Sequence, residues 1–176
     1  MSQTPQMDVL YLKDLGHVLG IFTRNSEPGD IEADASAFVG DGLHLRALKP
    51  GQDLVVPPAL IGLFRTDRNW RQILSPLNLY ATHLDTAPVL SSFPGPALTV
   101  AYAAPNLKIT LANVGATIQV LVLDTAGGAP VQFSAAVTTT QTNVSLAMTG
   151  LIVGHQYNAF VFVPAYPIAV QTFTAA

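Results

Sequence analysis

Leu151-Ile152-Val153-Gly154-His155-Gln156-Tyr157-Asn158-Ala159-Phe160-Val161-Phe162-Val163 sets a glycine turn directly before a run with a two-residue period. Successive side chains of a strand point to opposite faces. Tyr157, Ala159, Val161 and Val163 therefore share one face, and Asn158, Phe160 and Phe162 share the other. The Val, Phe and Tyr content favours extended backbone, and the alternation reads as a strand over residues 155–163.

The flanking sequence supplies partners for this strand. Residues 97–103, 106–112, 116–124, 131–137, 142–148 and 167–174 are further short runs rich in Val, Ile, Thr, Phe and Tyr. Gly, Pro and Asn turns separate them, as in Ala126-Gly127-Gly128-Ala129-Pro130. Seven short strands in about 80 residues is the spacing of a β-sandwich. Within 116–124, Ile118, Val120 and Val122 fall on one face, and Gln119, Leu121 and Leu123 on the other.

The segment Leu151 to Tyr157 resembles the corner before strand F of fibronectin type III domains. In that family a Leu packs in the core, a Gly makes the turn, and a Tyr three residues later returns its hydroxyl to the preceding backbone. The resemblance is superfamily-level and spans residues 97–176. Val153 stands where the family usually has Pro, and the only Trp of the chain, Trp70, lies outside the resembling half. The resemblance implies a seven-stranded sandwich with 116–124 and 155–163 as neighbours. Leu121, Leu123, Phe160 and Phe162 then form one apolar patch on an outer sheet face. A solvated outer face should be mainly polar, so the patch asks for a cover. That cover is either residues 1–90 or another subunit.

Charge divides the chain in the same place. Residues 1–90 hold ten of the eleven acids and seven of the eight bases, while 91–176 hold only Lys108 and Asp124. Ser91-Ser92-Phe93-Pro94-Gly95-Pro96 lies at the break and reads as a linker. The expected organisation is a β-rich module over 1–90, a linker over 91–96 and the sandwich over 97–176. In the first module, residues 7–13 and 17–24 flank Asp14-Leu15-Gly16, a hairpin turn. Residues 43–48, 53–56, 59–65 and 77–84 are further strand candidates. Pro57-Pro58 interrupts continuous pairing, and 27–37 reads as an acidic loop with one helical turn. The fold class is all-β: a small N-terminal β-sandwich or open barrel, then the fibronectin-like sandwich.

Composition limits function. With 49% apolar and 11% charged residues, the chain is not of the disordered class. No cysteine is present, which removes disulfides and thiolate chemistry. The longest apolar stretch, 109–123, is broken by Asn113, Gly115, Thr117 and Gln119 and falls short of the ~20 residues a membrane helix needs. Residues 1–8 show neither a basic segment nor an apolar core, so no secretory leader is expected. The compartment is left open between the cytoplasm and a particle. A net charge of −3 gives no global attraction to nucleic acid.

Motifs for catalysis are missing: there is no nucleophile elbow, zinc helix, phosphate loop or dinucleotide fingerprint. His83 and Asp85 lie on one strand face, but a metal needs three or four converging ligands. Asp30, Glu32, Asp34 and Asp41 match positions 1, 3, 5 and 12 of a calcium loop, yet Ala35 replaces the required Gly. A hydrolase could draw on Asp41 or Asp85 with His44 or His83, without a motif to support it. Arg65, Arg68 and Arg71 surround Trp70, and Arg with an aromatic can hold phosphate and stack on a base. Arg and Trp are equally the residues of protein-interface hot spots.

The expected function is a non-enzymatic structural or interaction subunit, without cofactor or metal. It forms a homo-oligomer or joins other protein subunits, with no nucleic-acid or membrane partner. Its expected interface residues are Leu121, Leu123, Phe160 and Phe162, with Trp70, Arg68 and Arg71 as a second contact. The alternative is a carbohydrate- or other ligand-binding sandwich, with Trp70, Tyr80, Tyr102 and Tyr166 as stacking rings.

Overall fold

The computed structural model describes residues 6–23, 35–45, 54–67, 76–82, 88–93, 97–111, 116–127, 129–137 and 142–176. Fourteen strands, one five-residue helix and two short 3-10 turns make up these residues, so the described structure is all-β. The chain divides into two compact units, Met1–Leu45 with Val56–Phe93, and Arg46–Val55 with Pro94–Ala176.

The first unit opens on a hairpin. Strands β1 (Gln6–Leu12) and β2 (Val18–Thr23) pair antiparallel, with a bulge between Leu10 and Tyr11. Asp14 and Gly16 take positive φ in the connecting turn, and the Leu12 N–H donates to the His17 carbonyl at 2.8 Å. Gly16 has a second reason to lack a side chain. Its carbonyl accepts from Ala81 N–H at 2.6 Å, and a Cβ there would collide with the Ala81 carbonyl. The short helix α1 (Ala35–Val39) and strand β3 (Leu43–Leu45) follow, with strand β4 (Leu54–Val56) at the boundary between the units.

A 3-10 turn at Pro58–Leu60 then leads into β5 (Ile61–Asp67), which pairs with β1 along its whole length. The proline turn moves the start of this strand from the expected residue 59 to Ile61. At Gly62 the ring of the cross-strand Tyr11 occupies the space a Cβ would need. A second turn at Pro76–Asn78 opens β6 (Leu79–Thr82), which pairs with β7 (Val89–Ser92). Ser91 and Ser92, read from sequence as linker, are the last residues of β7. Met7, Val9, Val18 and Leu79 form a core of this unit, with Ile21, Phe64 and Leu90 against it.

Among the described residues of Pro94–Ala176 the second unit has seven strands: β8 (Thr99–Ala103), β9 (Asn106–Thr110), β10 (Ala116–Asp124), β11 (Val131–Val137), β12 (Asn143–Ala147), β13 (Gln156–Phe162) and β14 (Ala169–Thr174). They form a three-stranded sheet in the order β12-β9-β8 and a four-stranded sheet in the order β11-β10-β13-β14. One apolar core lies between them. Leu107, Ile109 and Leu146 enter it from the first sheet, and Ile118, Val120, Val122, Tyr157, Ala159, Val161 and Phe173 from the second. Burying side chains of this size contributes about 1.5–3 kcal/mol each relative to exposure. The alternation seen in the sequence is therefore the alternation in the sheet. Ile118, Val120, Val122 and the Tyr157, Ala159, Val161 series face inward.

The corner before β13 is closed by a side chain. Gly150 and Gly154 take positive φ, Leu151 packs against the core, and the Ile152 N–H donates to the Tyr157 hydroxyl oxygen at 3.0 Å. That bond ties the connection between β12 and β13 to the strand that follows it.

Candidate interaction surface

The outer face of the four-stranded sheet is the first surface to place. Gln119 lies opposite Phe162, Leu121 opposite Phe160 and Leu123 opposite Asn158 across β10 and β13. The expected patch is thus assembled on one face. It is not exposed. Leu121, Phe160 and Phe162 are all 0% accessible within a single chain, and Leu123 is half-buried. Asn158 and Gln119 on the same face are buried too, and Asn158 accepts from the Thr172 hydroxyl at 2.7 Å. Apolar side chains with no accessible surface gain nothing further from a partner, because they are already removed from water.

Of the arginine cluster, Arg65 lies within the described residues. The Arg65 guanidinium donates from Nε to Asp8 Oδ1 at 2.8 Å and from Nη2 to Oδ2 at 3.5 Å. Asp8 and Arg65 are direct cross-strand partners on β1 and β5, and Asp8 is buried. An opposite-charge pair at such a position supports the sheet register. Arg65 therefore holds a carboxylate of its own sheet. Arg68, Trp70 and Arg71 lie outside the described residues.

The remaining chemical candidates are placed as follows. His83 and Asp85 lie outside the described residues, as do Asp30, Glu32 and Asp34. Asp41 and His44 are exposed. Helix α1 begins at Ala35, the sixth position of the calcium-like count, so helical backbone occupies what the loop would need as open turns. Among the described residues there is no group of three or more metal-ligating side chains. Tyr80 stacks on Phe93 at 5.3 Å, Tyr102 stacks on Phe173 at 4.2 Å, and Tyr166 is buried in the sandwich core. These rings are engaged by neighbours in their own units.

One polar constellation was not anticipated. His155 Nδ1 lies 2.7 Å from Asp124 Oδ2 at the end of the β10–β13 pair. The hydrogen bond from His155, followed by that from the Ala126 N–H at 2.8 Å, holds the Asp124 carboxyl below the usual carboxylate range. Next to it, the Thr125 N–H and hydroxyl both donate to the Gln156 carbonyl. With its proton on a backbone oxygen, Thr125 is not prepared as a nucleophile. The cluster closes a strand end. Sequence spacing could not reveal it, because 31 residues separate the partners.

What the second unit does expose is its edges. Among the described residues β11 and β14 bound one sheet, and β12 and β8 bound the other. None of these four strands contains a charged residue or a proline. Ile152 and Val153 at the β12–β13 corner are 59% and 74% exposed, and Val131 at the start of β11 is 40% exposed. The outer face of the three-stranded sheet carries a shallow hollow of about 470 Å³ around Lys108, lined by Thr99, Thr110, Asn143 and Ser145. Among the described residues no helix is long and apolar enough to cross a membrane. No protein-family model matches this chain, and no curated protein matches it.

Proposed function

We propose that the chain is a non-enzymatic structural or interaction subunit, and that residues 97–176 form a fibronectin type III-like sandwich through which it self-associates or joins a larger assembly. The strand order supports the fold reading. The fourth strand, β11, pairs with the third, whereas in an immunoglobulin constant domain the fourth strand joins the opposite sheet. The Tyr157 hydroxyl bonded to the backbone five residues upstream supports it as well. A sandwich of this type serves many tasks, so the fold does not carry the function.

The observation that carries the association reading is the absence of charge from all four edge strands. Edge strands present unpaired backbone donors and acceptors. Monomeric β proteins guard them with Lys, Pro, bulges or inward charges. Here those side-chain guards are missing from all four edge strands; in the first unit the edge strand β5 carries Arg65 and Asp67, while β2, β6 and β7 are likewise uncharged. Absolute mass by light scattering, across a dilution series, tests the proposal. A mass at least twice 18.6 kDa is expected at high concentration, falling on dilution. A constant mass of one chain would overturn self-association.

A second reading, ligand binding, rests on the hollow around Lys108. Thr99, Thr110, Ser145, Asn143 and the Lys108 ammonium stand there beside Ala101 and Val144, a mixed and largely apolar lining that suits a ligand with an apolar body and a few polar groups. The Asn143 carbonyl oxygen already accepts from the Thr110 hydroxyl, and the lining has no aromatic ring for sugar stacking. A glycan screen without hits on the wild type would remove the carbohydrate form of this reading.

A further inference from the structure

We infer that the association surface is the open edge of β11, and that its occupant is β11 of a second copy, paired antiparallel about a two-fold axis at Ser134. This rests on the assembly reading above and names its surface.

Among the four edges β11 is the longest, with seven residues against five, five and six. It pairs with β10 over seven consecutive positions, Ala116–Val137 to Val122–Val131, with no bulge. A regular ladder on one side leaves a regular row of N–H and C=O groups on the other. The competing edge of the same sheet, β14, has Ala169, Val170 and Gln171 already half-buried. The burial pattern of β11 is instead mostly exposed.

The side chains decide the occupant. Val131, Phe133, Ala135 and Val137 alternate with Gln132, Ser134 and Ala136. Phe133 and Ala135 pack against the sandwich core but are only partly buried, and Val131 is 40% exposed. A two-fold axis at Ser134 sets Val131 against the copy's Val137, Phe133 against its Ala135, Gln132 against its Ala136, and Ser134 against itself. Apolar meets apolar on the core side, and small uncharged groups meet on the outer side. A two-fold contact requires a self-complementary patch. This strand meets that requirement, with no charge to bring like against like. Pairing would also cover Phe133 and Val131 and run the two four-stranded sheets into one.

Two double variants test the register. Gln132→Lys with Ala136→Lys puts lysine opposite lysine twice across the axis. Gln132→Glu with Ala136→Lys puts glutamate opposite lysine twice. Residues 132 and 136 are exposed, so neither pair disturbs the core. Like charges directly opposite are destabilising in a sheet, and the dilysine variant should raise the dissociation constant about ten-fold or more. The Glu/Lys variant should associate at least as tightly as wild type. If wild type associates and the dilysine variant matches it, the β11 contact is wrong while the assembly reading survives. If the Glu/Lys variant is weakened as much as the dilysine variant, the two-fold register is wrong. A wild type that remains monomeric at every concentration overturns self-association, and the β11 contact with it.

Discussion

In the first unit a buried carboxylate, Asp8, faces a guanidinium, Arg65, across adjacent strands. In the second, the corresponding cross-strand partners are Leu121 with Phe160 and Val120 with Val161. A one-residue slip of β1 against β5 would strand Asp8 without its partner. A slip of β10 against β13 would exchange the Ile118-Val120-Val122 face for the Gln119-Leu121-Leu123 face. Both sheets are thus fixed in register, one by an ion pair with apolar support and the other by apolar alternation and the Tyr157 corner. In the second unit the strand charges, Lys108 and Asp124, sit on the inner strands β9 and β10, and none stands on an edge.

The largest effect that would break this comparison lies in the second unit. Phe160→Asp places an unpaired charge at a fully buried position and should destabilise the chain by more than about 4 kcal/mol. Urea denaturation would read that loss. A variant with wild-type stability would show that Phe160 is accessible after all.

Next is the ion pair. Arg65→Ala leaves Asp8 buried without this partner, and the Arg side chain is 37% exposed. The 3–5 kcal/mol of a fully buried pair is therefore discounted for solvent screening to about 2 kcal/mol. The double change Asp8→Val with Arg65→Val should recover most of it. If the double variant is as unstable as the single one, charge is not what the pair contributes.

Tyr157→Phe sharpens the other side of the comparison. It removes the acceptor for the Ile152 N–H. That N–H belongs to an exposed residue and can turn to water, so a loss of about 1 kcal/mol is expected. No change in melting temperature would show that the corner closes without the bond.

Acid provides the smallest effect. Asp124 has a depressed folded-state pKa. Its contribution to stability is present above the unfolded-state value of about 3.9 and is lost as pH falls through the folded value. Asp124→Asn should flatten that part of the melting-temperature profile by lowering the neutral-pH value slightly, with little change in acid below the folded value. An unchanged acid limb would deny the carboxylate any role in stability.

The legibility of the two units differs for the same physical reason. Each of the seven strands of the second unit lies within an expected segment, because its alternation and its Gly and Pro turns are local signals. That residues 116–124 and 155–163 are neighbours, with Leu121 and Phe160 on one face, was what the fibronectin resemblance implied. The burial of that pair was not implied, since the alternation marks both faces of these strands as apolar without saying what lies over either. In the first unit, Pro58–Leu60 turned rather than extending the strand, and β7 was hidden in a Ser-Ser segment that reads as linker. A two-residue polar pair becomes a strand end only when β6 is there to bond it. The Asp124–His155 contact and the commitment of Arg65 to Asp8 are tertiary events of the same kind. The uncharged edges, by contrast, were visible as a charge desert over residues 91–176. Which of those strands are edges was not.

Hydrogen exchange on wild-type protein, at low and high concentration, tests most directly whether the charge-free half associates through an open edge. The alternate β11 amides that point away from β10 should exchange fast in dilute solution and become protected as concentration rises, with β10 amides unchanged. Equal exchange rates for those β11 amides at all concentrations, in a sample whose mass still rises, would contradict the account.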